Sequence, residues 1–140
     1  MAIETYSLVN ILLLESYFHR EWVLSLQDPN FANSTNLNVT NQRNPEHLSV
    51  IVELTYKAGV GDKIEINSNI KMVGLFTVPN NSPLPIEVFT NVNAPAIIFP
   101  FLREHLASIS MKAGIQPIML QPVNFVKNSE VEKNESENSK

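Results

Sequence analysis

Three histidines, four glycines and no cysteine narrow what this 140-residue chain can do chemically. His19, His47 and His105 have no ligand spacing to one another or to a carboxylate pair, so they read as solvated or partner-paired side chains rather than a metal centre. Arg103, Glu104 and His105 stand together and suggest acid–base work, but successive residues of a helix point to different faces. No serine sits in a G-x-S-x-G elbow, and the few glycines build no phosphate loop. The absence of cysteine removes disulfides, thiolate catalysis and most structural zinc sites. The expectation is a protein that is not an enzyme and uses no cofactor and no metal.

What remains is apolar. The elements that carry these residues follow from periodicity. From His47 to Ala58 the even positions Leu48, Val50, Val52, Leu54 and Tyr56 are apolar, the period of a half-buried strand. After the turn Gly59 to Asp62, Ile64, Ile66, Ile70, Met72, Phe76 and Val78 hold one face, with Glu65, Asn67, Asn69 and Lys71 on the other. The two strands form a hairpin with one wet face. Upstream, Leu37 and Val39 alternate with Asn in a further short strand, and Leu26 to Ser34 reads as a crossing loop carrying Phe31.

The first strand is apolar on both parities: Leu8, Leu12, Leu14 and Phe18 on one, Val9, Ile11, Leu13 and Tyr17 on the other. It is expected to be covered on both faces. Pro79 to Asn93 is a loop that delivers the chain to a helix with Ile98, Leu102, Leu106 and Ile109 at helical spacing. Asn91 or Asn93 is its expected cap, Pro95 fits its first turn, Pro100 implies a kink or a fresh start, and Gly114 is its stop. The segment Ile115 to Phe125 is again apolar, and the set exceeds what one sheet face and one helix can cover, so an oligomer interface or an apolar groove is expected.

Bulk properties agree. One domain of this length buries roughly two-thirds of its unfolded surface. A net charge of −4 with the charges interspersed gives no nucleic-acid footprint. No stretch approaches the roughly 20 apolar residues of a membrane span, and no signal peptide leads the chain, so a soluble, cytoplasmic protein without membrane insertion is expected. The sequons at Asn33, Asn38, Asn80 and Asn134 are those of an Asn-rich chain.

The stretch "NAPAIIFPFLREHLASISMKAGIQPIMLQPVNF" resembles the signature region of SecB-type export chaperones, through Phe99, Pro100, Phe101, Arg103, Glu104, Pro122, Val123, Asn124 and Phe125. "KMVGLFTV" and "NFANSTNLNV" are similar to that family's hairpin end and crossover loop. The resemblance implies an α+β fold, a four-stranded antiparallel sheet with one long C-terminal helix packed on it, assembled as a dimer of dimers, with a dimer as the alternative. It implies residues 1–126 as a single SecB-like domain and a second helix after Phe125; residues 127–140, nearly devoid of apolar side chains, read instead as a disordered polar tail, with only Val126 and Val131 left for that helix.

Function follows from the same resemblance. It implies an ATP-independent holdase for non-native, export-bound polypeptides, gripping them along apolar grooves and passing them to the translocation machinery. Carried onto this chain, the client groove comprises Phe31, Leu37, Val39, Ile118, Leu120 and Phe125, with Trp22 beside it. Ile98, Leu102, Leu106 and Ile109 are assigned to the main helix and oligomer interface. Glu15, Glu53 and Glu65 are assigned to the sheet face that docks the translocase ATPase, a face diluted here by Lys57, Lys63 and Lys71. The alternatives are a chaperone dedicated to one partner, for example an antitoxin, and a structural or adaptor module without general client binding.

Overall fold

A computed structural model describes residues 5–126. Four strands, β1 (Ser7–Arg20), β2 (Phe31–Arg43), β3 (His47–Val60) and β4 (Lys63–Thr77), precede a three-residue turn α1 (Ile86–Val88), a π-helix (Phe89–Asn93) and the long helix α2 (Ala94–Lys112). The sheet is antiparallel throughout, in the order β1-β4-β3-β2. The chain therefore leaves β1 at one edge and crosses to β2 at the other. Residues 127–140, expected to be a disordered tail, lie outside the described residues.

The alternation in β3 and β4 does what its period dictates. Leu48, Val50, Val52, Leu54, Ile70 and Phe76 are buried under α2, which contributes Ile98, Leu102 and Leu106. α2 comes close because Gly74 has no side chain: a Cβ there would lie 2.8 Å from Ile98 Cδ1 and 2.9 Å from Phe76 Cε2. Two ties hold the helix across to β1. Ser16 Oγ and His105 Nε2 are 2.8 Å apart, and Arg20 Nη1 donates to the Ala113 carbonyl at 2.7 Å.

Several expectations are corrected. The cover expected on both faces of β1 is not supplied within one chain, where most of its apolar side chains are exposed. Its mixed parity has a local cause. The register with β4 shifts at Val9 and again at Leu14, and each extra residue reverses the parity. Leu8, Leu13 and Phe18 thus stand opposite Phe76, Met72 and Ser68 on the helix side, whereas Leu12 stands opposite Val73 on the open side. β2 runs the full 13 residues from Phe31 to Arg43, absorbing the end of the expected crossing loop from Phe31 to Ser34. Its asparagines oppose strand propensity, but an unbroken ladder with β3 fixes them in extended backbone.

The end of the expected loop before the helix is also helical, from Ile86 onward. Neither Asn91 nor Asn93 caps α2, since the π-helix runs straight into it and Asn93 is itself in αR conformation. Helix α2 continues unbroken through Pro100, which lies on its exposed side. Tyr6 closes this corner, stacking on Phe89 at 4.0 Å and donating to the Leu84 carbonyl at 2.9 Å.

Candidate functional site: an apolar cleft beside the β2 edge

The described residues enclose a cleft of about 1000 Å³. Its floor comes from strand residues that alternate onto the helix side of the sheet: Phe31 and Leu37 on β2, Tyr56 on β3 and Ile66 on β4. Phe99 of α2 forms one side. The far wall is the segment after the helix, where Ile115, Ile118, Met119 and Leu120 alternate with Gln and Pro.

That wall is extended because Gly114 ends α2 at a φ of 77° and Pro117 and Pro122 bar a further helix. It is anchored by Ser110, whose Oγ accepts the Ile118 N–H at 2.9 Å while donating to the Ala107 carbonyl at 2.8 Å. One end of the cleft is closed by Leu26 and Gln27 of the crossing segment. Asn33, Thr35 and Asn36 supply neutral polar groups, and no charged side chain is among its described lining residues.

The cleft can bind apolar groups; among its described lining residues Tyr56 and Thr35 carry hydroxyls, and no carboxylate, imidazole or amine lies there. Among the described residues no three His, Cys, Asp or Glu could hold a metal ion. No helix there is long and apolar enough to cross a membrane. Burial raises the Tyr56 phenol above its ordinary value, so this ring meets the cleft in its neutral form.

The candidate residues divide. Phe31, Leu37, Ile118 and Leu120 meet in the cleft. Val39 lies on the same side of β2 but packs on the core beyond it. Phe125 turns inward and meets Phe99 edge-on with ring centroids 6.0 Å apart, buttressing the wall rather than lining the cleft. Trp22 stands outside, 91% exposed on the crossing segment. Tyr56, Ile66 and Phe99 escaped the sequence reading because core and cleft residues share one alternation; the exposed Met119, between Ile118 and Leu120, was the signal available and unused.

On the helix, Ile98, Leu102 and Leu106 cannot serve an interface, because they are wholly buried against the chain's own sheet; Ile109 is partly buried against the same core. The residues that α2 leaves outward are Ile97, Phe101 and Met111.

The assigned docking face is corrected too. Glu15 and Glu53 do flank one spot on the open sheet face, but Lys71 Nζ stands between them, 3.5 and 3.7 Å from their Oε2 atoms. Asn69 Nδ2 adds a 3.2 Å bond to Glu53. Glu65 is not on that face: it is 1% exposed, beneath the crossing segment.

The family model for SecB, "Preprotein translocase subunit SecB", matches residues 12–134. The protein-export protein SecB of Magnetococcus marinus is 32% identical over 85 residues, covering 60% of this chain and 54% of that protein. That of Methylobacillus flagellatus is 32% identical over 88 residues, covering 63% and 56%. The chain thus spans about half the length of the curated relatives it matches. Among solved structures, the Mycobacterium tuberculosis SecB-like chaperone Rv1957, in complex with a ChAD peptide from the antitoxin Rv1956 HigA1, superposes with a TM-score of 0.73. That likeness covers 85% of this chain and 91% of that one at 10% identity, and establishes a shared fold.

Proposed function

Since this chain belongs to the SecB family, we propose that it is an ATP-independent holdase that keeps non-native polypeptides unfolded by binding their apolar segments in the cleft beside β2. The observation that carries this reading is the cleft's character: about 1000 Å³ of concavity, walled by Ile118, Met119 and Leu120, with no charged side chain among its described lining residues. Such a surface gives affinity through many small apolar contacts and selects no particular sequence. Neutral Asn and Thr side chains along β2 offer hydrogen bonds to whatever main chain lies there.

A homotetramer built as a dimer of dimers accounts for the apolar surface that the single chain leaves bare. Leu12 and Leu14 of β1 form one such patch on the open sheet face, and Ile97, Phe101 and Met111 of α2 another. Two distinct patches are what two distinct interfaces require. A cytoplasmic location fits this role.

A second reading is favoured by one observation. With Lys71 between Glu15 and Glu53, the open sheet face offers a basic partner little net charge, which weakens docking of the translocase ATPase. The solved relative holds an antitoxin peptide. A chaperone dedicated to one partner is therefore the alternative, and it would use the same cleft.

The test is suppression of aggregation of an unfolded export precursor without nucleotide, read by light scattering at near-stoichiometric ratio, with a Phe31→Ala variant alongside. The expected outcome is suppression by the wild type and its loss in the variant at unchanged oligomeric state. No suppression by an oligomeric wild type would leave the dedicated chaperone or an adaptor.

A further inference from the structure

Glu65 is the most deeply buried charged residue among the described ones, and it has no cation beside it. It lies at an irregularity of the β3–β4 ladder, where Ala58 pairs with Ile66 and Gly59 with Ile64, leaving Glu65 without an opposite number. The irregularity depends on Gly59, since a Cβ there would collide with the Lys63 carbonyl oxygen. The chain thus departs from regular pairing to aim a carboxyl group at the crossing segment.

What that group holds is the segment itself. The Ser25 N–H donates to Glu65 Oε1 at 2.7 Å, and the Glu21 N–H donates to the Glu65 carbonyl at 2.8 Å. From Trp22 to Asn30 the remaining backbone bonds are local ones, such as the Asp28 N–H to the Ser25 carbonyl at 3.0 Å. Apolar packing adds little: Leu24 is partly buried, whereas Trp22, Val23 and Leu26 are exposed. Glu65 Oε2 finds no partner among the described residues. A buried carboxyl with one oxygen unsatisfied and no counter-ion is costly, so this residue is poorly explained by stability alone. Its neighbours point to another role, because Ile66 floors the cleft while Leu26 and Gln27, just beyond Ser25, close its end.

We propose that Glu65 is a positioning residue for the client cleft: its carboxyl oxygen latches the crossing segment at Ser25 and so holds Leu26 and Gln27 in place as the end wall. The proposal rests on the cleft being the client site. The latch itself is measurable with no client present.

The experiment compares full-length wild type, Glu65→Ala and Glu65→Gln by amide hydrogen exchange and by anisotropy with a reduced, carboxymethylated, permanently unfolded polypeptide. In Glu65→Ala the Ser25 and Leu26 amides should exchange at least about tenfold faster, with the β3 and β4 amides unchanged, and polypeptide affinity should fall about fivefold. Glu65→Gln keeps an acceptor oxygen for the Ser25 N–H and should restore both. Ser25 exchange unchanged in Glu65→Ala, exchange accelerated equally throughout the sheet, or failure of Gln to restore it overturns the latch. Faster Ser25 exchange at unchanged affinity overturns the link to the cleft. If the wild type binds no unfolded polypeptide, the cleft reading fails and takes that link with it, while the exchange data still decide the latch.

Discussion

Met119→Ser isolates client binding from folding. Met119 lines the cleft yet is 66% exposed, so truncating it removes little from the folded core. Stability should change by no more than about 0.5 kcal/mol, as for surface substitutions generally. A bound segment covering the side chain would take that exposed two-thirds out of water. Full burial of a methionine contributes about 1.5–3 kcal/mol, so the part at stake is about 1–2 kcal/mol. A loss of that size is about a 5- to 30-fold rise in Kd. The assay is anisotropy of a labelled unfolded polypeptide, with thermal unfolding of the same preparations. Refutation takes either of two forms: binding within twofold of wild type, which removes Met119 from the client surface, or a midpoint lowered by many degrees, which makes it part of the core. Phe99→Ala is the informative contrast, since that buried ring meets Phe125 and should lose stability and binding together.

Two further predictions concern the scaffold. Gly74→Ala should destabilise by about 1–2 kcal/mol in urea unfolding at fixed protein concentration, as overpacking against Ile98 and Phe76 exceeds the benefit of a stiffer unfolded chain. Ile98→Val removes the Cδ1 atom in the way, so it should cost less in the Gly74→Ala background than alone; strict additivity would refute the contact. For Tyr56, burial raises the folded phenol above the ordinary value of 10.0, so the unfolded chain ionises first. Its contribution is complete below pH 10 and declines as pH rises from there through the raised value. Absorbance at 295 nm and thermal midpoints against pH should show this, and Tyr56→Phe should flatten the decline.

The hairpin, the helix stripe and the apolar surplus were legible in the residues, because burial on one face writes period two into Leu48 to Tyr56 and helical spacing into Ile98 to Ile109. The order of elements and the SecB resemblance from Asn93 to Phe125 were legible as well. Other features were not, for reasons that lie in pairing and depth. Two register shifts turned the parity of β1 over twice, and alternation counted along a strand cannot see where a neighbour skips a residue.

Part of the cleft was recoverable from sequence because Phe31 and Leu37 are apolar among the Asn and Thr of β2, and Ile118 and Leu120 lie where the chain has left regular structure. Tyr56, Ile66 and Phe99 are as apolar as their core neighbours, and only the path of the chain across them decides that these three face a cavity. Glu65 is the sharpest case. Sequence placed it on the wet face with Asn67 and Lys71, as its parity requires; the ladder irregularity opposite Gly59 carried it under the crossing segment instead. Periodicity along the chain thus determined which elements form and which faces are greasy. Where those faces end, what covers them and which polar group lies beneath were decided by contacts between residues far apart in sequence, which no local pattern records.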